Sequence, residues 1–206
     1  MDKNSVNSNI YHVIIEEVPL PSIIIKPKKE LPYLSLAPSN TDLIGAEVEL
    51  VGAIAREVKL KSAVEEILSL FDYILIDCPP SLGLLTVNAL TASHSVLVPL
   101  QCEYFAMEGL GQLLNTINII KKNLNKKLMI EGILLTMFDA RNNLSHQVLE
   151  EVTQHFKDQV FKTVIPRNVR LSECSSFGLP IILYDINSKG AESYLELAKE
   201  VMGREE

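Results

Sequence analysis

The sequence predicts an α/β domain with a mostly parallel sheet and helices on both faces. Two observations indicate this fold class. Short apolar segments of strand length recur along the chain, and segments with helical period separate them. The predicted strands are 73–77, 95–99, 128–137 and 160–165, and the predicted helices between them are 84–92, 107–124 and 144–156. Because strands that alternate with helices pair in parallel, their carboxyl ends are expected at one edge of the sheet.

Residues typical of turns and helix caps predict the secondary structure of the rest of the chain. The polar start, 1–9, is expected to be a flexible tail, and 10–206 a single α/β domain. Residues 10–18 fit a helix or a strand equally well. The polar cluster 39–42 predicts a helix start. The smaller elements predicted are a strand at 33–36, helical stretches from 43 to about 70, a helix at 169–177, an extended edge at 180–184 and an amphipathic helix at 191–202.

Composition limits the functional classes. The chain has 206 residues, a net charge of −7 and three cysteines without disulfide or zinc spacing. No apolar run approaches the ~20 residues that span a membrane, and the start lacks the apolar core of a signal peptide. We therefore expect a cytoplasmic protein with reduced thiols. An acidic chain binds DNA only through a local basic patch.

Asp77 is the first candidate site residue. It ends the apolar run 73–76, which is typical of a buried strand, and a proline pair follows it. An aspartate at that position can hold a magnesium ion through water, as in the Walker B motif. Alternatively, it caps the next turn. None of the nine glycines is followed by lysine, so the chain has no G-x-x-x-x-G-K-[ST] phosphate loop.

A second candidate site is the basic stretch that contains Lys162, Arg167 and Arg170 and has no acidic residue. Because it follows a predicted strand, it is expected at the same sheet edge as Asp77. There it could contact the phosphates of a nucleotide or of DNA. The alternative is an exposed loop whose arginines pair with Glu173 and other carboxylates.

Two further strand-end loops contain chemically active side chains. Cys102 could be a nucleophile, although Glu103 is adjacent and no histidine is near it in sequence. Thr136, Asp139 and Arg141 could line a base or sugar pocket, or could simply form a polar loop before the 144–156 helix.

Several phrases together resemble the ParA/Soj family of chromosome and plasmid partition ATPases, relatives of MinD with a deviant Walker motif. The resemblance runs from about residue 10 to residue 202. The phrases that carry it are 42–50 (DLIGAEVEL), 71–83 (FDYILIDCPPSLG), 98–110 (VPLQCEYFAMEGL), 135–141 (LTMFDAR), 165–173 (IPRNVRLSE), 184–185 (YD) and 188–192 (SKGAE).

The resemblance implies a three-layer P-loop NTPase-like (SIMIBI) fold and ATP-dependent DNA segregation. It also implies Mg-ATP bound between two subunits of a homodimer, DNA binding without sequence preference, a ParB-type partner, nucleoid association and no membrane contact. Asp77 resembles the Walker B aspartate that contacts magnesium through water. Pro166 and Arg167 resemble the segment beside the adenine. Arg167, Arg170 and Lys189 lie where the family has basic residues near DNA, and which of them touches DNA is left open.

The chain also departs from the family pattern. Family members begin with about fifty residues that hold the first strand, the phosphate loop and the switch I aspartate, and we expect this chain to lack that block. Positioning and charge neutralisation supply most of phosphoryl-transfer catalysis. We therefore expect no ATP hydrolysis by this chain alone. The alternatives are a non-catalytic ParA-like module that binds DNA or a partner, and an unrelated α/β enzyme that uses Asp77 or Cys102.

Overall fold

A computed structural model describes residues 6, 8–27, 29–79 and 83–204. These residues fall into two compact units. The first comprises described residues of Met1–His94 and Thr116–Leu128, and the second those of Ser95–Asn115 and Met129–Glu206. The expectation of a single domain over 10–206 stays a prediction. Most of the expected tail, 1–5 and 7, lies outside the described residues, as do residues 80–82 of the phrase that contains Asp77.

The first unit is helical in its described residues. Its helices are α1 (Ile10–Ile15), α2 (Leu20–Ile23), α3 (Leu43–Glu49), α4 (Lys59–Glu65) and α5 (Leu84–Ala92), with 3-10 turns at Leu50–Gly52 and Leu68–Leu70. Helix α6 (Ala106–Asn123) is divided between the two units at Asn115 and Thr116. The start of α1 is a capping box, in which the buried Asn9 side chain accepts a hydrogen bond from Tyr11 N at 2.8 Å.

The core of the first unit joins α1 and α2 to α4 and α5. Its buried side chains are Val13, Leu20, Ile23, Leu60, Val64, Ile67 and Ala89. Buried Asn88 links α4 to α5, because its Oδ1 accepts from Leu60 N at 3.1 Å and its Nδ2 donates to Arg56 O at 2.7 Å. This amide therefore has partners for both of its polar atoms, as a buried polar group requires.

The segment 73–77 is not a buried strand, and that prediction is wrong. It belongs to no sheet, and its exposure alternates along the chain. Ile74 and Ile76 pack against the core of the first unit, whereas Leu75 is 93% exposed. A strand needs a neighbour to satisfy its ladder groups, and no described segment hydrogen-bonds along 73–77 as a strand. The apolar residues of this segment therefore pack against the core on one side only, through Ile74 and Ile76.

The second unit contains a parallel sheet of two strands, β1 (Ser95–Gln101) and β2 (Met129–Thr136). The register runs from Ser95 beside Met129 to Gln101 beside Thr136. The segment predicted as a strand at 160–165 lies along β2 through single parallel bridges, Ile133 to Val160 and Phe138 to Pro166. The helices of this unit are α7 (Asn143–Phe156), α8 (Val169–Ser176), α9 (Ile181–Tyr184) and α10 (Lys189–Gly203), with a 3-10 turn at Lys157–Gln159.

One hydrophobic cluster of the second unit packs α10 against the sheet. The buried residues of this cluster are Leu134, Phe161, Ile165 and Leu197. Gly132 permits the close approach of the segment beside β2. A Cβ at Gly132 would lie 2.6 Å from a ring carbon of Phe161 and 2.9 Å from the carbonyl oxygen of Gln159. A larger residue there would push this segment away from β2.

The α/β class is confirmed, and the predicted helices at 84–92, 107–124, 144–156, 169–177 and 191–202 appear with ends that differ by at most two residues. Two other predictions need correction. The extended edge at 180–184 is instead the short helix α9, which starts after Pro180, a residue suited to a helix start. The strand at 33–36 reduces to one antiparallel bridge between Ile25 and Leu36. Among the described residues, no helix is both long enough and apolar enough to cross a membrane.

Candidate functional site

Asp77 ends the segment 73–77 of the first unit and is exposed. No hydrogen bond or ion pair joins its carboxylate to another residue that the structure describes. The neighbouring Cys78 thiol donates to Ile76 O at 3.6 Å. Burial, and then the charge of Asp77, raise the pKa of the Cys78 thiol. The Asp77 carboxylate is therefore available to a ligand, whereas Cys78 has little thiolate at neutral pH.

In the second unit, the carboxyl ends of β1 and β2 bring three loops together. Cys102 N donates to Thr136 O at 3.2 Å, which joins the loops that follow the two strands. Phe138 N donates to Ile165 O at 3.2 Å, and Arg167 N donates to Phe138 O at 2.9 Å. The segment of Pro166 and Arg167 therefore lies at the carboxyl end of β2, joined to it by single bridges. The prediction that it shares a sheet edge with Asp77 is wrong, because 73–77 belongs to no sheet.

The backbone is strained in the loop that directly follows β2. Met137 has a φ of +55°, which residues other than glycine rarely adopt. Non-glycine residues in this conformation cost about 1–3 kcal/mol and cluster at functional sites. The turn at Met137 redirects the chain directly after β2 and presents Asp139 and Arg141 next to the Arg167 segment.

Asp139 and Arg141 form a forked ion pair. Arg141 Nε donates to Asp139 Oδ1 at 3.0 Å and Nη2 donates to Oδ2 at 2.9 Å, while Arg141 N also donates to Oδ1. These bonds, aided by the charge of Arg167, hold the pKa of the Asp139 carboxyl well below its usual range. The Arg141 side chain remains 89% exposed, so this cation also faces solvent.

The predicted cations of the second unit differ in their surroundings. Arg167 pairs with Glu103 at 3.2 Å. Arg170 lies between two carboxylates, Glu173 at 2.9 Å and Asp185 at 3.4 Å. The alternative expected from sequence, pairing with Glu173, is therefore realised for Arg170 in this structure.

Lys189 is the first residue of α10 and is exposed. It has no ion pair with another described residue. Ser188 caps this helix by accepting from Ala191 N at 3.1 Å. Gly190 packs against α8, because a Cβ there would lie 2.6 Å from Leu171 Cγ. This contact fixes the position of Lys189 relative to the helix that carries Arg170.

Sequence reasoning missed that Glu103 and Asp185 bind the predicted cations, and it did not predict that Asp139 and Arg141 pair with each other. The signal for the latter pair was present. An aspartate two residues before an arginine, directly after a strand, is suited to an Asx turn with a side-chain fork. No comparable local signal marks Glu103, because it is 64 residues from its partner Arg167.

The catalytic-cysteine alternative is disfavoured by the surroundings of Cys102. Its side chain is buried, and burial together with the charge of Glu103 raises the pKa of the thiol to about 11. A thiol with that pKa is protonated at neutral pH and is a poor nucleophile. Cys102 is therefore a packing residue at the end of β1.

Comparisons with known proteins agree with the resemblance carried by the sequence phrases. A family model described as an AAA domain matches residues 1–130. The chain is 55% identical to the chromosome partitioning protein ParA of Myxococcus xanthus over 203 residues, which are 98% of this chain and 71% of that protein. It is 57% identical over 201 residues to the sporulation initiation inhibitor protein Soj of Bacillus subtilis, with coverages of 98% and 79%. The chain belongs to the ParA/Soj family of chromosome-partitioning ATPases.

A solved structure supports the fold of this ParA/Soj chain. The cobyrinic acid a,c-diamide synthase of Mycobacterium smegmatis, solved with bound ADP and magnesium, superposes with a TM-score of 0.80 at 36% identity. The match covers 96% of this chain and 72% of the other. The P-loop NTPase-like α/β fold that the resemblance implied is therefore confirmed.

The chain's own residues fit magnesium better than they fit phosphates. Magnesium in proteins is usually held by one or two carboxylates, waters and substrate phosphates, and exposed Asp77 could supply a contact through water. No group of three or more His, Cys, Asp or Glu side chains among the described residues could hold a metal by itself. A cavity of about 280 Å³ beside β1 is lined mainly by apolar residues, with Glu103 as its only charged lining residue. That cavity does not suit a triphosphate.

Proposed function

We propose that this chain acts in chromosome or plasmid partitioning as a ParA/Soj-type protein that binds DNA without sequence preference. The single observation that supports this proposal most is the identity of 55–57% with ParA and Soj over almost the whole chain. The second unit adds an electrostatic argument. Exposed cations lie at the carboxyl edge of β2 and at the starts of α8 and α10, in a protein whose net charge is −7.

Arg167, Arg170 and Lys189 are the proposed DNA-binding residues. Side chains of this kind contact phosphates and carry no base information, which matches binding without sequence preference. Lys189 is free of ion pairs with described residues, whereas Arg167 and Arg170 have carboxylate partners. DNA phosphates would replace these carboxylates on binding, so the carboxylates tune the affinity.

Asp77 is proposed to hold a magnesium water when Mg-ATP is bound, and Pro166 and Arg167 to pack beside the adenine. Magnesium supplies charge neutralisation at the phosphates, and the exposed carboxylate of Asp77 would orient one of its waters. Because the 206 residues contain no phosphate loop, we further propose that this chain by itself does not hydrolyse ATP. A ParB-type partner, a homodimer and nucleoid association complete the proposed partition function.

The absence of a phosphate loop from the 206 residues favours a second function. A ParA-like module without its own phosphate loop could bind DNA or a partner and regulate complete copies of the protein. Titration with a fluorescent ATP analogue in the presence of magnesium separates the two functions. Binding that is weakened by Asp77→Ala supports the partition function, whereas DNA binding without any nucleotide binding supports the module.

Non-specific DNA binding is tested by fluorescence anisotropy with two duplexes of unrelated sequence over a range of salt concentrations. We expect equal affinities for both duplexes and a steep loss of affinity as salt rises, because released counterions drive phosphate contacts. A preference for one duplex, or no DNA binding at low salt, would contradict the proposal.

A further inference from the structure

His146 lies near the start of α7, directly against the loop that carries the Asp139–Arg141 fork. Its Nε2 is 2.9 Å from the carbonyl oxygen of Ala140. Because a carbonyl oxygen only accepts, the ring donates from Nε2, and Nδ1 is the atom that gains a proton in acid. His146 is exposed, and no residue that the structure describes hydrogen-bonds Nδ1. The bond to Ala140 therefore survives protonation, and the charged ring keeps its place beside the loop.

A second contact links His146 to the segment that carries Arg167. The Phe138 ring meets the His146 ring edge-on, with the ring centroids 5.2 Å apart. Phe138 O in turn accepts from Arg167 N at 2.9 Å. The charge of Arg167 also reaches this loop, since it helps to lower the pKa of Asp139. His146 therefore lies at the carboxyl end of β2 together with a residue that we propose for DNA binding.

The charged groups around the imidazole carry both signs, and most of them are already paired. They are Asp139 and Arg141 in the loop, Arg167 and Glu103 beside it, and Glu150 one turn further along α7. The first four form two ion pairs with each other, and Glu150 is exposed. No carboxylate of a described residue forms an ion pair with His146. Because an exposed pair at i, i+4 is weak, Glu150 leaves a charge on His146 available to a phosphate.

We propose that protonated His146 is a further phosphate contact of the DNA-binding surface, so that DNA binding tightens as pH falls from 8 to 6. Histidine is the side chain whose charge changes in this range, whereas arginine and lysine side chains keep theirs. Each cation that contacts a phosphate releases a counterion, which raises both the affinity and its salt dependence. The inference rests on the DNA binding proposed above and adds to it a contact that pH controls.

The test measures the affinity of the whole chain for a labelled duplex by fluorescence anisotropy at pH 8 and pH 6, each over a range of salt concentrations. Wild type should bind at least about threefold tighter at pH 6, and its slope of log affinity against log salt should be steeper there by about one. His146→Gln keeps a donor for Ala140 O but cannot titrate, so it should lose most of this gain.

Two further variants complete the test. His155→Gln is the matched control, because His155 is exposed on the same helix and its ring nitrogen contacts Glu151 O of that helix at 2.8 Å. It should keep the full gain at pH 6. His146→Lys carries its charge at both pH values, so at pH 8 it should bind DNA as tightly as wild type does at pH 6.

Three outcomes would overturn this inference alone. They are equal gains in wild type and His146→Gln, a loss of the gain in His155→Gln, and no tighter binding by His146→Lys than by wild type at pH 8. In each case the duplex still binds, so the proposed DNA binding stands. No binding by wild type at either pH at low salt would contradict the proposed function and this inference with it. Circular dichroism at both pH values checks that each variant is folded, which is expected because both histidines are exposed.

Discussion

Arg167 donates a hydrogen bond from Nη2 to Oε1 of Glu103 at 3.2 Å, although the two residues are 64 positions apart in the chain. The pair connects the loop after β1 to the segment that runs beside β2, at the carboxyl edge of the sheet. Both side chains are about half exposed, at 54% and 56%, so the pair adds little to stability. Its consequence is electrostatic, because Glu103 partly neutralises a cation that we propose for DNA binding.

Glu103→Gln is therefore expected to strengthen DNA binding. Removing the carboxylate frees the Arg167 guanidinium for phosphate and removes a negative charge near the duplex, with an expected gain of about threefold at low salt. Fluorescence anisotropy with a labelled duplex measures the change in DNA affinity. The control is Glu108→Gln, which removes an exposed carboxylate from the first turn of α6 in the same unit. Unchanged affinity in Glu103→Gln would remove Arg167 from the DNA surface.

Arg170→Ala and Lys189→Ala should each weaken DNA binding by a similar factor for every duplex sequence. Each variant should also reduce the slope of log affinity against log salt by about one, as expected for the loss of one phosphate contact. Lys199→Ala serves as the control, since Lys199 is exposed on α10 but ten residues from Lys189. A loss confined to one duplex sequence would indicate base contacts instead.

The Asp139–Arg141 fork predicts a pH-dependent contribution to stability. The pKa of Asp139 is lowered in the folded state, so its contribution is present above the ordinary carboxyl value of about 4 and is lost as pH falls below it. Asp139→Asn should lower the melting temperature at pH 7, and the difference from wild type should shrink in acid. Thermal unfolding followed by circular dichroism, at pH 7 and in acid, measures the two differences in melting temperature. A difference that is constant with pH would assign the effect of the substitution to packing.

Glu200 holds the end of α10 against the segment beside β2. Its carboxylate accepts from Lys162 N at 2.8 Å and from Thr163 N at 2.9 Å, and Arg204 pairs with it at 3.2 Å. Glu200→Ala leaves two backbone donors and a guanidinium without this partner, so we expect a loss of about 1–3 kcal/mol. Urea unfolding measures this loss in the free energy of unfolding. Glu196→Ala on the same helix is the exposed control and should change stability by less than about 0.5 kcal/mol.

The helices were predictable where the sequence marked both of their ends. Gly83 precedes α5 and Ser93 follows it, and the helix occupies the predicted 84–92. The absence of a strand at 73–77 was not predictable in the same way, because an apolar run becomes a strand only when a neighbour pairs with it. Pairs such as Arg167 with Glu103 join distant parts of the chain, so they follow from the register of β1 and β2 and not from a local pattern.

ATP hydrolysis by the purified 206-residue chain tests the central claim most directly. The chain contains an exposed Asp77 but no phosphate loop, so charge neutralisation at the phosphates is incomplete. The assay compares phosphate release by wild type and Asp77→Ala in the presence of magnesium and DNA. We predict the same background rate of phosphate release for both proteins. Hydrolysis by the wild-type chain that Asp77→Ala abolishes would contradict it.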